Sequence, residues 1–193
     1  MYLIPILTLL LTPASGAGCT ALEADFLGQS VDEFDQSEAG WRSLAREGCY
    51  TDAGELIGTY RQAHGENLSP RQQRQLLWHE GQMFAYANRY EEAVSRFAGT
   101  YPETPQSPDE IYKIDAVIAF LERDRLALLN ARNALAALPE PPEFRAAVER
   151  IQTQQPDIPP PTWPIGLETI ENYIRCFEYS YSVAYEGLCE HPE

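Results

Sequence analysis

Four cysteines, three histidines and 29 acidic side chains are the groups in this 193-residue sequence with chemistry to offer. The only His-Glu pair, His79-Glu80, is followed by Gly81, Gln82 and Met83. The second histidine that completes the metal-binding face of a zinc-protease helix is therefore missing. His79 is read as a surface residue of its helix, while His64 and His191 fall near a linker and the C-terminus. Neither a glycine-rich phosphate loop nor a Gly-x-Ser-x-Gly elbow occurs. With so many carboxylates some pair must lie close in the fold, which keeps a small two-carboxylate hydrolase as the second functional reading, although spacing singles out no pair. Glu23, Asp25, Asp32, Glu33 and Asp35 lack the glycine and ligand spacing of a calcium loop and read as a solvated helix face. No cofactor is implied.

No two of Cys19, Cys49, Cys176 and Cys189 stand two to four positions apart, the close spacing that structural zinc sites favour, so they are not expected to hold a metal. Their redox setting follows from the N-terminus. Residues 1–17 carry no charged side chain, and the apolar run from Tyr2 to Leu11 gives way to Thr12, Pro13 and small residues, the form of a secretory signal peptide. Ser15 and Ala17 favour cleavage after Ala17 over cleavage after Gly16. The run is too short to span a bilayer as a helix. Gly16, three positions before Cys19, stands where bacterial lipid attachment expects a bulky aliphatic residue. Export to a periplasmic or extracellular space makes disulfides the expected state of an even cysteine set. Three pairings are open, and loop-closure entropy favours Cys19 with Cys49 and Cys176 with Cys189. The formal net charge of −15 argues against nucleic acid and anionic membranes as ligands, since both select basic surfaces, and it suits a basic partner.

Helical periodicity supplies the elements that position these groups. Leu77, Gly81, Phe84 and Asn88 recur every three or four residues, as do Tyr90, Ala93, Val94, Phe97 and Tyr101. Asn88-Arg89 is a connection short enough to fold the stretch from Leu76 to Pro105 into a hairpin, and Gly81 and Ala93 are small enough for its helices to approach closely. A similar hairpin spans Ser37 to His64, with Trp41, Leu44 and Ala45 before a Gly48-Cys49 turn and Ala53, Leu56, Ile57 and Tyr60 after it. Gly65 to Pro70 reads as a polar linker. Ahead of these, Leu22, Phe26, Leu27, Val31 and Phe34 form a helical pattern broken at Gly28. A third hairpin follows from the apolar helix beginning at Asp109-Glu110 and the Ala- and Leu-rich run from Leu126 to Leu138. Phe144 to Gln152 makes a short amphipathic helix, and the five prolines between Gln155 and Pro164 predict an extended polyproline II segment, read as a strap across the helices. Leu167, Ile170, Tyr173, Ile174 and Phe177 make a last amphipathic helix suited to cap the array. Tyr179, Tyr181 and Tyr185 cluster after it, either packed beside a Cys176–Cys189 loop or open to a glycan or peptide.

Gly81, Phe84, Tyr90, Ala93, Phe97 and Pro105 fall at the spacings of the tetratricopeptide repeat, which the central hairpin resembles, a helix-turn-helix unit of roughly 34 residues. Leu77, Glu80 and Thr100 stand where that family usually has Trp, Leu and Ala. The spacing of Tyr90 and Ala93 is repeated by Tyr50 and Ala53, and Trp41 then occupies the place of the crossing glycine. The resemblance implies an all-α fold, a short array of antiparallel helical hairpins with two to three repeats, completed by the proline-rich strap and the capping helix. The chain divides accordingly into residues 1–17, 18–138 and 139–193. It further implies an exported scaffold that binds a protein or peptide and catalyses nothing itself. In such arrays the first helix of each hairpin lines a groove, and by alignment that face carries Arg42, Arg46, Gln75, Trp78, Gln82 and Tyr86. Two arginines beside aromatic rings suit an extended peptide bearing a carboxylate. If the strap or the C-terminal helix fills the groove instead, these residues are core and the role is structural or in assembly.

Overall fold

The computed structural model describes residues 19, 23–104 and 108–189, and all regular structure among them is helical. The N-terminal elements are α1 (Glu23–Leu27), α2 (Val31–Gln36), α3 (Arg42–Arg46) and α4 (Tyr50–His64). The middle of the chain forms α5 (Pro70–Tyr86), α6 (Tyr90–Ala98), α7 (Pro108–Leu121) and α8 (Arg125–Ala136). The remainder forms α9 (Pro142–Gln154), α10 (Leu167–Arg175) and α11 (Tyr181–Glu186). None of these helices is long and apolar enough to cross a membrane. The signal-peptide residues and Pro105 lie outside the described residues.

Hairpin pairs carry the architecture, with α4 packed on α5, α5 on α6 and α7 on α8. Their turns share one backbone geometry. The residue two positions before the second helix is left-handed in each of the α3–α4, α5–α6 and α7–α8 turns: Gly48 (φ 78°), Asn88 (φ 59°) and Arg123 (φ 61°). The next N–H reaches back five residues, from Cys49 to Leu44 (3.0 Å), from Arg89 to Phe84 (2.8 Å) and from Asp124 to Ala119 (2.9 Å), satisfying carbonyls at the end of the preceding helix. This common turn fixes the register of the third hairpin, which the sequence alone left unaligned. Ala116 takes the place of Gly81 and Leu128 that of Ala93, and all four are buried. Arg123 adopts the left-handed form without being glycine or asparagine. Its guanidinium donates to the carbonyls of Phe177 and Tyr179, which holds the turn against the C-terminal segment.

Three boundaries differ from the periodicity. First, α5 begins at Pro70, six residues before its apolar pattern starts. Ser69 and Gln72 cap each other's backbone N–H groups and Pro70 occupies the first turn, where no donor is needed, so the end of the expected linker is a helix start. Second, the first arm of the N-terminal hairpin is only the five-residue α3, beginning at Arg42, with a tight fold-back between it and α2. A Cβ on Gly40 would lie 1.9 Å from the Phe34 carbonyl oxygen, so this close fold-back requires glycine. Third, the proline-rich segment is exposed from residue 155 to residue 162 and meets the body only at its end. There the Trp163 indole N–H donates to the Leu138 carbonyl (2.9 Å), its ring packs on Phe144, and Pro164 is buried.

Two apolar cores result. One gathers Phe34, Trp41, Leu56, Ile57, Tyr60, Leu76 and Met83, with the Phe34 and Tyr60 rings stacked 3.8 Å apart. The other gathers Phe84, Phe97, Val117, Phe120, Leu128, Leu135, Ile170, Tyr173 and Tyr181. α10 packs on α7 and α8, and α11 reaches across to α5. The disulfides join Cys19 to Cys49 and Cys176 to Cys189, the pairing that short loops favour, so the Cys19 sulfur is engaged. Glu80 is buried with Arg61 at 2.7 Å and Arg96 at 2.5 Å, bridging α4, α5 and α6. Gly58 leaves it room, since a Cβ there would stand 3.0 Å from a Glu80 carboxylate oxygen.

Candidate functional site

One face of α5 presents Gln75, Trp78, His79, Gln82 and Tyr86, spaced three or four apart as a helix requires to line a surface. Packing divides this face in two. Its N-terminal half is a polar hub around Asp35 of α2, which is only 3% exposed. One carboxylate oxygen accepts from the Trp41 indole (3.0 Å) and from His79 Nδ1 (2.7 Å); the other accepts from Gln75 (2.7 Å) and Gln36 (2.5 Å). Burial is the largest single influence on the Asp35 carboxyl and pushes its pKa up, but the bond and charge of His79 with the bonds from Trp41 and Gln36 outweigh it and hold it below the usual range. Two sequence readings are corrected here. Asp35 is not on a solvated face, and His79 is not a surface residue, because each satisfies the other inside the fold. The pair aligns an imidazole as a hydrolase would, yet among the described residues no serine, threonine or cysteine side chain bonds the other ring nitrogen.

The C-terminal half faces α7, α10 and α11 across a cleft of about 150 Å³. Trp78 and Gln82 of α5, Lys113 and Val117 of α7, Thr169 and Tyr173 of α10 and Tyr185 of α11 line it. Trp78 is braced edge-on by Phe97 (4.8 Å between centroids). Lys113 is held by Asp109 one turn away at 2.6 Å, so its charge is already paired. Tyr86 stacks on Tyr50 (5.0 Å) and meets Tyr181 and Tyr185 edge-on, extending the aromatic lining between the two halves of the molecule. Burial raises the pKa of the Tyr86, Tyr173 and Tyr181 phenols well above the ordinary value, so this lining is neutral at physiological pH. The Tyr181 hydroxyl is buried near Tyr173 and Gln82 without a hydrogen bond of good geometry.

The six residues assigned to the groove are thus separated. Trp78 and Gln82 share the cleft, Tyr86 stands at its aromatic margin and Gln75 is tied into the Asp35 hub. Arg42 lies over the Trp41 ring at 4.2 Å and is not among the residues lining the cleft. Arg46 is exposed and bound to Glu38 through its carboxylate (3.1 Å) and carbonyl (2.8 Å), so it is not part of the cleft. Packing of α11 onto α5, with α10 seated on α7 and α8 beside it, takes up part of the expected groove and contributes lining residues that repeat spacing does not reveal, Thr169, Tyr173 and Tyr185. Of the late tyrosines, Tyr181 is wholly buried while Tyr179 and Tyr185 keep exposed edges. Among the described residues no group of three or more His, Cys, Asp or Glu side chains is arranged to hold a metal ion. Compared with known protein families, curated proteins and solved structures, the chain matches none of them.

Proposed function

We propose that this chain is an exported scaffold of tetratricopeptide-like hairpins that binds a segment of a protein or peptide through the cleft between α5, α7, α10 and α11, with no catalysis of its own. The observation that carries this reading is the form of the cleft: aromatic and aliphatic walls from Trp78, Val117, Tyr173 and Tyr185, and a rim of Gln82 and Thr169. About 150 Å³ is smaller than the roughly 300–1,000 Å³ of small-molecule sites and suits one bulky apolar side chain of a longer ligand. Rigid Trp and Tyr surfaces with nearby amide and hydroxyl groups are the usual makings of such an anchor pocket. The repeated turn geometry supports the kinship of the three hairpins. Two disulfides support an oxidising compartment, and the net charge of −15 supports a basic flank on the partner.

The test is selection of random displayed peptides on the full chain, followed by Thr169→Phe, a substitution that fills the cleft without removing a core residue. Selected peptides are expected to share a bulky apolar residue and to bind the folded variant at least ten-fold more weakly. Equal affinity for the folded variant would remove the cleft from the function.

A further inference from the structure

A second and larger cavity, about 430 Å³, opens on the other side of α7. The α7 residues lining the first cleft, Lys113 and Val117, and those lining this one, Tyr112, Asp115, Ile118 and Ala119 with Glu122 just past the helix end, lie on opposite faces at 3.6 residues per turn. Its volume falls within the range of small-ligand sites, unlike that of the cleft.

Its chemistry is uniform. Asp115 and Glu122 supply two carboxylates, Tyr101 and Tyr112 supply two phenol rings, and Ala127, Ala131 and Ala134 of α8 make a floor of small apolar groups. No lysine or arginine is among its lining residues, and neither carboxylate is in an ion pair among the described residues. The Tyr101 hydroxyl donates to Asp115 at 2.5 Å, which fixes one carboxylate at the edge of the cavity and leaves its second oxygen for a ligand. Burial raises the Tyr101 phenol, followed by the Asp115 bond and the charges of Asp115 and Glu122, so the negative field of both acids reaches this ring. A cavity with two acids, two ring faces and an aliphatic floor has the complement of an alkylammonium ligand: charge-assisted bonds for the nitrogens, ring faces for the cation and methyl groups for the methylenes.

Spacing narrows the class. Asp115 lies in α7 and Glu122 one residue past its end, where the Glu122 N–H still bonds the Ile118 carbonyl, so the two stand about 10 Å apart along the helix axis. We propose that this cavity binds a linear polyamine, with one terminal ammonium group at Asp115, another at Glu122 and the chain between them over the alanine floor. The site is separate from the peptide cleft, so either assignment stands or falls without the other.

The probe is spermidine, titrated calorimetrically into the full chain at physiological salt, where diffuse attraction to an acidic protein is screened. 1,4-Diaminobutane, too short to reach both acids, and magnesium chloride are the comparisons. The expected result is one spermidine site, weakened about ten-fold or more by Glu122→Gln, with the diamine similarly weak and magnesium not competing at equal charge. Glu122 is exposed, so this variant keeps the fold. Glu143→Gln with Glu149→Gln on α9, which removes the same kind of charge elsewhere, is expected to change affinity less than two-fold. Several weak sites, equal competition by magnesium, or equal effects of the Glu122 and α9 variants would overturn the proposal and leave only diffuse charge attraction.

Discussion

Asp35→Asn is expected to destabilise the chain by about 2–3 kcal/mol at neutral pH, and the structure says where that comes from. The carboxylate accepts from four donors, and the two on one oxygen, the Trp41 indole and His79 Nδ1, belong to a buried and a nearly buried ring whose bonds these are. The two on the other oxygen are Gln75 and Gln36, whose amides can turn over and present oxygen instead. An asparagine can therefore keep four contacts, with its own oxygen toward the rings and its NH₂ toward the turned amides. What it loses is the charge-assisted part of two buried bonds, roughly 1–1.5 kcal/mol each. Asp35→Leu leaves Trp41 and His79 without an acceptor and is expected to cost about 3–5 kcal/mol. Urea denaturation resolves both, since slopes of roughly 1–3 kcal/mol/M turn the smaller loss into a midpoint shift of about 0.7–3 M. The pH dependence supplies the sharper check. Because the folded Asp35 pKa is held below its ordinary value, its stabilisation is complete above about pH 4, the unfolded value, and is lost as pH falls through the folded one. The gap between wild type and Asp35→Asn must therefore narrow over that acid window. A gap below about 0.5 kcal/mol at pH 7, the size of an ordinary surface substitution, or one that persists unchanged through the acid window, would refute the account of the hub.

The Glu80 bridge separates two kinds of loss. Glu80→Ala leaves Arg61 and Arg96 without their shared partner and is expected to cost about 2–3 kcal/mol, less than for a wholly enclosed triad because both arginines reach water. Replacing the whole triad at once, Glu80→Leu with Arg61→Met and Arg96→Met, leaves no charge unpaired and is expected within about 1 kcal/mol of wild type by thermal denaturation. Removal of the Cys176–Cys189 bridge by paired Cys→Ser substitution opens a loop of sequence separation 13 and is expected to cost about 3 kcal/mol. Hydrogen exchange should show the loss concentrated in α10 and α11, whereas uniform acceleration across α4 to α6 would contradict a local role.

What could be read in advance was the part that repeats. The periodicity of Leu77 to Phe97 and the smallness of Gly81 and Ala93 dictate a close hairpin, and a Cβ on Gly81 would indeed meet Phe97 and Arg96 at 3.2 Å. The third hairpin lost its register because its left-handed turn residue is Arg123, which carries no local signature and depends on carbonyls 54 and 56 residues away. Asp35 and His79 were hidden for a related reason. A carboxylate between apolar neighbours looks solvated until its partner, 44 residues on, is placed against it. The cleft was half legible: Trp78 and Gln82 follow from helical spacing on α5, whereas Thr169, Tyr173 and Tyr185 reach it through the return of α10 and α11, set by tertiary packing and a disulfide.

Each disulfide closes within its own end of the chain, Cys19–Cys49 at the first core and Cys176–Cys189 at the second, and neither joins the two cores. α5 is the helix with wholly or nearly buried apolar side chains in both: Leu76 and Met83 belong to one core, Phe84 and Ala85 to the other. In mechanical terms the molecule is a pair of stapled blocks mounted on a common shaft. Torque between the blocks passes along that 17-residue helix, with the Glu80 and Arg89 bridges to α4 acting as struts at its side. The cleft and the Asp35 hub sit on the same face of the shaft, on either side of the point where one core gives way to the next, so a partner gripping both ends of that face would read the angle between the blocks as well as their side chains.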